Sequence, residues 1–401
     1  MKYIVFLGDG MADYKLEELG NKTPLDVANK PNIDEIASKS VAGIVTTVPT
    51  GLKPGSDVAN LSAMGYDPQK YYTGRSPLEA VSVGVPLNDE DITFRVNLVT
   101  LSNEENYEDK TMIDYSSDEI TTPEAHELIK AIAEKLDNEE YQFFPGFSYR
   151  HILVRRNGKL TYDLTPPHDI SGRKIKDYLP KGENADIILD FMKKSVEILK
   201  NHPVNLDRIK RGLRPATSAW VWGEGSKAVL PEFESLHSIK GGVVSAVDLI
   251  KGIAISAGLE SVDVEGATGN IHTNFDGKAQ AAIDLLKRND FIYIHLEAPD
   301  ECGHRGELEN KIKSIELIDE KIVKPVMDYI KSTGEDYKVL IMPDHPTPIA
   351  LKTHVMDPVP FVMYDSRNEA KGVEKYNEDN CKATGLHIDE GYKLMKKFIE
   401  E

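Results

Sequence analysis

The last third of the chain alternates short apolar runs with longer amphipathic stretches. Short apolar runs are typical of buried strands, and stretches with apolar residues every three or four positions are typical of helices. The pattern predicts an alternating series of strands and helices at 242–245, 247–257, 261–264, 279–287, 290–296, 308–332, 338–342 and 360–364. Such alternation indicates an α/β fold, a doubly wound sheet with helices on both faces.

The middle of the chain has a different character. It predicts a strand at 94–101, a helix at 123–136, a strand at 148–154 and a long helix at 185–201. Residues 216–222 then form an apolar run of the kind buried in parallel sheets. We therefore predict one discontinuous α/β domain, residues 1–92 and 212–401, and an inserted α+β domain, residues 93–211. A chain of 401 residues also exceeds what one core usually covers.

Composition excludes several classes of function. The formal net charge of −18 argues against binding to nucleic acid or to an anionic membrane, because both need a basic surface. No stretch approaches the roughly 20 apolar residues of a membrane span, and the apolar run after Met1 predicts a first strand rather than a signal peptide. The two cysteines, Cys302 and Cys381, cannot form a disulfide framework and suit a reducing cytoplasm. We therefore expect a cytoplasmic protein.

Aspartates follow three of the predicted strands, at positions 9, 300 and 344. Ligands of open α/β sheets bind beyond the carboxyl ends of the strands, so these acids can converge although they are far apart in sequence. Asp and His together are ligands of Mn²⁺, Zn²⁺ or Fe²⁺, and six ligands suit two metal ions a few ångströms apart. With the histidines that accompany the acids, the six candidates are Asp9, Asp300, His304, Asp344, His345 and His354.

Ser56 is the candidate nucleophile. It lies in Pro54-Gly55-Ser56-Asp57, at the predicted start of a helix, where it could also be the N-cap. A helix N-terminus favours phosphate, and a serine hydroxyl needs a base or a metal to become a good nucleophile. The sequence therefore predicts a phosphotransfer enzyme that acts through Ser56.

These elements, in this order, resemble the signature of cofactor-independent phosphoglycerate mutases. The chain is most similar to the shorter, archaeal-type branch of that family, within the alkaline phosphatase superfamily. The resemblance rests on Gly8-Asp9-Gly10, Pro54-Gly55-Ser56-Asp57, Asp300 to His304, Asp344-His345 and His354. It extends over the whole length through Gly65-Tyr66-Asp67-Pro68, Gly74-Arg75, His202-Pro203-Val204-Asn205, Glu265 to Gly269 and Asp357-Pro358-Val359-Pro360.

The resemblance implies an alkaline-phosphatase-like fold and a role for each of these residues. Asp300, His304 and His354 would hold one divalent metal ion, and Asp9, Ser56, Asp344 and His345 the other. We expect Mn²⁺, with Zn²⁺, Mg²⁺ or Co²⁺ as alternatives. Ser56 would take the phosphoryl group from one position of a phosphoglycerate and return it to the other. Lys240, before Gly241-Gly242, resembles the family's lysine that supports charge at the reacting phosphate.

The inserted domain would grip the small phosphorylated substrate and close over the metals to exclude water. Our candidates for substrate binding within it are Arg150, His151, His168 and Asp169. An arginine matches a carboxylate or phosphate with two parallel hydrogen bonds, and His168 could carry a proton between substrate hydroxyls.

The expected reaction is interconversion of 3- and 2-phosphoglycerate without a bisphosphoglycerate cofactor. A homoserine kinase-like phosphotransfer to a small alcohol is the alternative, because residues 112–117 lack the arginine that the archaeal-type pattern carries there. No Gly-x-x-x-x-Gly-Lys-Ser/Thr nucleotide loop supports the kinase. A hydrolase and a metal-binding regulatory protein rank lower. The retained Ser56 argues against the regulatory protein, and the large insertion argues against the hydrolase.

Overall fold

The computed structural model describes all 401 residues. The strands are β1 Lys2–Gly8, β2 Val41–Val45, β3 Ile92–Leu101, β4 Met112–Asp114, β5 Tyr141–Phe147, β6 Arg150–Arg155, β7 Tyr162–Asp163, β8 Lys181–Gly182, β9 Ser218–Ser226, β10 Gly241–Val244, β11 Glu260–Val262, β12 Phe291–Leu296, β13 Tyr337–Met342, β14 Val359–Asp365 and β15 His387–Ile388.

The helices are α1 Pro24–Val27, α2 Pro31–Ser38, α3 Ser56–Ala63, α4 Pro68–Tyr71, α5 Ser76–Ser82, α6 Thr122–Leu136, α7 Ala185–Leu199, α8 Pro203–Lys210, α9 Phe233–His237, α10 Asp248–Ser256, α11 Phe275–Leu286, α12 Ala298–Arg305, α13 Leu308–Ile318, α14 Lys324–Thr333, α15 Glu378–Ala383 and α16 Lys393–Glu400. A π-helical turn, Asp319–Val323, joins α13 to α14, so the single helix predicted at 308–332 is a continuous helical stretch with one wide turn.

The chain divides into two compact units. Unit 1 comprises Met1–Tyr72 with Leu230–Glu401, and unit 2 comprises Thr73–Val229. Unit 2 is longer at both ends than the predicted insertion, 93–211. At its start, α5 packs on β3. At its end, β9 pairs with β3 in antiparallel register, so the apolar run at 216–222 is not the parallel strand that we predicted.

Unit 1 is built around an eight-stranded sheet in the order β11-β10-β12-β1-β13-β14-β2-β15. Strand β14 is antiparallel to both its neighbours, whereas β1, β10, β11, β12 and β13 all run in parallel. Ile4, Val5, Phe6 and Leu7 of β1 are all buried, so both faces of the central strand are covered. The predicted α/β class with a doubly wound sheet is confirmed.

Unit 2 contains a second sheet, in the order β4-β3-β6-β5, with β9 paired to the other edge of β3. Alternate residues of β3, such as Phe94, Val96 and Leu98, belong to a core that also includes apolar residues of α6 and α7. Helix α6 begins with a capping box formed by Thr121 and Glu124, which fixes its start one residue before the predicted position. None of the helices in the chain combines the length and the apolar character needed to cross a bilayer.

Candidate active site

The carboxyl ends of β1, β12 and β13 meet at one edge of the unit 1 sheet, because β1 lies between the other two strands in parallel register. Asp9 directly follows β1, and Asp344 follows β13 after one proline. Asp300 lies in the first turn of α12, which begins soon after β12 ends. The three aspartates that the sequence analysis placed after strands therefore lie at the same edge.

Gly10 allows the loop after β1 to approach α12 closely. Its φ of +61° is in the left-handed region, which glycine adopts without strain. A Cβ atom at this position would lie 2.7 Å from Asp300 Cα and 2.6 Å from Thr347 Oγ1. Gly10 is thus required for the loop after β1 to lie this close to Asp300.

The first group of candidate metal ligands is Asp300, His304 and His354. His304 Nε2 lies 3.3 Å from Asp300 Oδ2, and His354 Nε2 lies 3.3 Å from Asp300 Oδ1. The two histidine Nε2 atoms are 2.8 Å apart. Burial opposes ionisation of Asp300, but the hydrogen bonds from His304 and His354 hold its pKa well below the usual range.

The second group is Asp9, Asp344, His345 and Ser56. His345 Nε2 lies 3.6 Å from Asp9 Oδ1, 3.4 Å from Asp344 Oδ2 and 3.2 Å from Ser56 Oγ. Asp9, Asp300 and His345 also lie close enough together to bind one metal ion, so the two groups of candidate ligands adjoin each other. The structure therefore brings together all seven residues that the sequence analysis assigned to the metal site.

The charge of this cluster fits divalent cations. Asp9, Asp300 and Asp344 are buried, no lysine or arginine lies within ion-pair distance of them, and the partners at that distance are histidines. Asp9 Oδ1 is buried without a hydrogen-bond donor. Burial raises the pKa of Asp9 well above its usual range, and the charges of Asp344 and Asp300 raise it further. Buried carboxylates are costly unless they are paired or bind a metal, and Asp with His is a suitable donor set.

Ser56 is the first residue of α3. The N-cap is Gly55, and not Ser56, which the sequence analysis considered for that position. The Ser56 hydroxyl is therefore not used to cap the helix. Asn60, one turn later, donates from Nδ2 to Ser56 O at 2.9 Å and to Asp344 Oδ2 at 2.8 Å. Tyr293 donates to Asn60 Oδ1 at 2.6 Å. This network ties the start of α3 to the aspartate after β13.

Sequence reasoning missed four residues around the cluster, namely Asn60, Tyr293, His295 and Thr347. His295 Nε2 lies 3.0 Å from Asp9 Oδ2, and burial lowers the pKa of the His295 ring to about 4, so it is neutral. Thr347 donates to Asp300 Oδ1. One signal was available, since a histidine inside the apolar run at 290–296 has to find a polar partner in the sheet.

Lys240 does not lie in the site, and its predicted role is wrong. It immediately precedes β10, and its carbonyl accepts hydrogen bonds from the backbone N–H groups of Asp290 and Phe291 at the start of β12. Strands β10 and β12 are parallel, so this is the opposite edge of the sheet from Asp300. A residue before a parallel strand cannot reach the edge where the strand ends.

The four substrate-binding candidates all lie in unit 2, in different environments. Arg150 is exposed at the start of β6, with its guanidinium 5.5 Å from the Tyr149 ring. The His168 ring lies 5.2 Å from the Trp222 ring, and Asp169 beside it is exposed. His151 is buried, and its Nδ1 accepts a hydrogen bond from the Gly146 N–H at 3.0 Å.

His151 is therefore not accessible to a substrate, which corrects its predicted role. It alternates with Arg150 along β6, and it shares its side of the strand with Leu153, a member of the unit 2 core. Burial lowers the pKa of His151 to about 3, so the ring is neutral.

Arg95 of β3 is a further candidate that the sequence analysis did not single out. Its guanidinium carbon lies 4.2 Å from the centre of the Trp222 ring, and β3 pairs these two residues directly across the sheet. Burial lowers the pKa of Arg95, and the charges of Arg75 and Arg150 lower it further although Glu79 opposes them. Arg95, Arg150 and His168 thus form one patch on unit 2, and its positive charge comes from the two arginines.

Known proteins are similar to this chain in both sequence and fold. The family model described as 2,3-bisphosphoglycerate-independent phosphoglycerate mutase matches residues 37–205. A protein of Methanosarcina barkeri with that name is 47% identical, over 97% of this chain and 96% of its own. The structure of a Pyrococcus horikoshii protein has a TM-score of 0.83 at 27% identity, covering 99% of this chain and 96% of the other.

The cofactor-independent phosphoglycerate mutase of Thermoplasma acidophilum has a TM-score of 0.70 at 26% identity, covering 100% of this chain and 99% of the other. With a relative that is nearly half identical over nearly its full length, the resemblance seen in the ordered motifs is confirmed. The chain belongs to the 2,3-bisphosphoglycerate-independent phosphoglycerate mutase family.

Proposed function

We propose that the protein interconverts 3- and 2-phosphoglycerate through a phosphoserine at Ser56, without a bisphosphoglycerate cofactor. One observation carries the proposal: the Ser56 hydroxyl lies 3.2 Å from His345 Nε2, within the cluster that holds three buried carboxylates. A binding protein has no need for a nucleophile at this position. The names printed for the relatives support the same reaction.

Family membership implies dependence on divalent metal ions, and the donor set accommodates two. Asp300, His304 and His354 would hold one ion, and Asp9, Ser56, Asp344 and His345 the other. Bound there, the metals would acidify the serine hydroxyl and neutralise phosphate charge. Mixed carboxylate and imidazole ligands favour Mn²⁺, with Zn²⁺, Mg²⁺ and Co²⁺ as alternatives.

The residues of the chain then account for both half-reactions. Ser56 Oγ attacks phosphorus, the Oγ–P bond forms, and the bond from phosphorus to oxygen 3 of the glycerate breaks. The 2-hydroxyl next attacks the phosphoserine, and the Oγ–P bond breaks as the new P–O bond forms. The proton that Ser56 loses as Oγ attacks is taken up by oxygen 3 as it leaves, and the proton that the 2-hydroxyl loses restores the serine hydroxyl. We assign these proton transfers to His168, whose pKa is lowered by burial so that the ring is available as a base.

Substrate recognition is assigned to the patch of Arg95, Arg150 and His168. Arg95 donates no hydrogen bond, and its one ion pair joins Nε to Glu79 Oε2 at 2.9 Å. Glu79 also pairs with Arg75, so a single carboxylate faces two guanidinium groups. A largely buried arginine with unused N–H groups needs an anion, and the carboxylate or phosphate of a phosphoglycerate provides one.

The structure gives less support to a homoserine kinase-like reaction than the sequence does. The sequence supports that reaction through the lack of an arginine in residues 112–117. Arg214 stands beside this segment, with Nη1 at 3.0 Å from Asp114 Oδ2 and 3.3 Å from Asp118 Oδ1. An arginine from a distant part of unit 2 therefore lies next to the segment that lacks one.

Phosphorus NMR of the Mn²⁺-loaded protein with 3-phosphoglycerate and no nucleotide tests the proposal. We expect 2-phosphoglycerate without free phosphate, and the same sample in excess chelator should be inactive until Mn²⁺ is restored. Free phosphate as the sole product would indicate a hydrolase. No change with the metal-loaded protein, followed by phosphohomoserine when ATP and homoserine are supplied, would establish the kinase instead.

A further inference from the structure

His295 is the penultimate residue of β12, a strand whose other five residues are apolar or aromatic. Its side chain is fully buried and contacts two polar groups. Nε2 lies 3.0 Å from Asp9 Oδ2, and Nδ1 lies 3.2 Å from the hydroxyl of Ser245, which directly follows β10. The three residues form a chain of contacts from Ser245 through His295 to Asp9.

The chemistry of the groups fixes the direction of each hydrogen bond. A metal-binding carboxylate oxygen only accepts hydrogen bonds, so we take His295 Nε2, which lies 3.0 Å from Asp9 Oδ2, as the donor. Nδ1 is then an acceptor, and the Ser245 hydroxyl must donate to it. The backbone N–H of Val247 donates to Ser245 Oγ at 3.0 Å, which occupies one lone pair of that oxygen and holds it in place.

The two carboxylate oxygens of Asp9 have different surroundings. Oδ2 is occupied by His295, whereas Oδ1 is buried without a donor and faces His345 at 3.6 Å. A carboxylate held by one oxygen presents the other in a fixed direction. Partners of this kind orient metal ligands in many proteins.

We propose that Ser245 and His295 are positioning residues that hold Asp9 so that Oδ1 alone binds a divalent cation. The inference rests on the metal site in the proposed function. Ser245 holds the His295 ring by donating to Nδ1, and His295 fixes the rotation of the Asp9 carboxylate. Neither residue touches the substrate or the cation.

The competing assignment makes His295 a ligand itself. Its ring lies close enough to Asp9 and Asp344 for the three to share an ion. A ligand requires an Nε2 atom without hydrogen, and a positioning residue requires an Nε2–H. The two assignments therefore predict opposite results for glutamine, whose amide N–H₂ can donate from nearly the position of Nε2 but cannot bind a cation through nitrogen.

Calorimetric titration of the metal-free protein with Mn²⁺, together with metal content by mass spectrometry, tests the inference without an activity assay. His295→Leu should weaken binding at one of two sites by about 10- to 100-fold. His295→Gln should stay within a few-fold of the wild type, and Ser245→Ala should fall between them. The control is His237→Leu, because the ring nitrogens of His237 are also buried but have no hydrogen-bond partner, and the ring packs on Phe233 near the start of β12.

Each other outcome is decisive. Unchanged Mn²⁺ affinity in His295→Leu overturns the inference, and equal losses in His295→Gln and His295→Leu make His295 a ligand instead. If the leucine variant does not fold, Ser245→Ala decides alone, since wild-type affinity there removes the role of the serine. A wild-type protein that binds no Mn²⁺ overturns the metal site, and this inference with it, which distinguishes the two failures.

Discussion

The functional residues of the two units carry opposite charge imbalances. In unit 1, Asp9, Asp300 and Asp344 are buried at one sheet edge with no lysine or arginine within ion-pair distance. In unit 2, Arg95 lies against Trp222 and shares Glu79 with Arg75. The unit 1 cluster therefore has an excess of carboxylate groups, and the Arg95 site of unit 2 has an excess of guanidinium groups.

This difference shows how a strongly acidic chain can act on a phosphorylated substrate. Buried charge without a partner costs free energy, and proteins keep such charge mainly where a ligand supplies the partner. The net charge of −18 would repel a phosphoglycerate at long range. Under the proposed function, metal ions bound by unit 1 and the arginines of unit 2 would each supply local positive charge against this repulsion. Each unit then has a separate role that mutations can test.

The largest effect is expected for the nucleophile of unit 1. Ser56→Ala should reduce kcat for 3-phosphoglycerate by about a thousandfold or more, because no other group takes up the phosphoryl group. Steady-state kinetics and capture of phosphoserine by mass spectrometry measure it. Ser62→Ala is the matched control, since Ser62 lies in the same helix with a buried, unpartnered hydroxyl. Near-wild-type turnover in Ser56→Ala would remove the phosphoserine mechanism.

A smaller effect is expected for the anion site of unit 2. Arg95→Lys should lower kcat/KM by about 10- to 100-fold, because an ammonium group cannot form the paired hydrogen bonds of a guanidinium group. Metal content should stay at the wild-type level. Arg155→Lys is the control: Arg155 is buried to a similar degree, but it does not share its carboxylate partner, Glu140, with a second arginine. Equal losses in both variants would show that Arg95 acts only through the stability of unit 2.

The units should also differ in how pH affects their stability. In unit 2, burial lowers the pKa of His151 to about 3, so the unfolded chain binds a proton that the folded one does not. The stability from this group is present above pH of about 6.5 and is lost as pH falls towards 3, by up to about 5 kcal/mol. His151→Asn keeps an acceptor for Gly146 and should remove this dependence. Hydrogen exchange of β6 between pH 7.5 and 5, corrected for intrinsic rates, measures it, and equal slopes in variant and wild type would contradict the assignment.

The opposite sign is expected for Glu378 in unit 1, which accepts hydrogen bonds from the Asp13 N–H and the Thr23 hydroxyl. Burial raises its pKa to about 7, so the folded protein holds a proton that the unfolded chain releases. This contribution, about 3 kcal/mol in full, is present below pH of about 4.5 and is lost as pH rises through 7. Glu378→Gln should gain stability over the wild type between pH 5 and 8, measured by chemical denaturation. Glu374→Gln, at an exposed position, should not.

The candidate ligands of unit 1 could be predicted to lie together, because parallel strands end at the same edge of a sheet. Once β1, β12 and β13 were recognised, Asp9, Asp300 and Asp344 had to be neighbours. The same rule explains why the role of Lys240 was wrong, since a residue that precedes β10 lies at the other edge. The substrate-binding role predicted for His151 was wrong for another reason. The sequence of β6 does not tell which of its faces is covered by the unit 2 core.

The sequence by itself determined the fold class, and it predicted the candidate nucleophile and the set of candidate metal ligands, because these depend on local patterns and on strand direction. Only the tertiary structure decided which polar groups face one another. Asn60 and Tyr293, His295 and Asp9, and Arg95 and Trp222 lie far apart in sequence, and strand pairing and helix packing bring each pair into contact. Side-chain contacts of this kind depend on register and on the covered face of each strand, which no local pattern specifies.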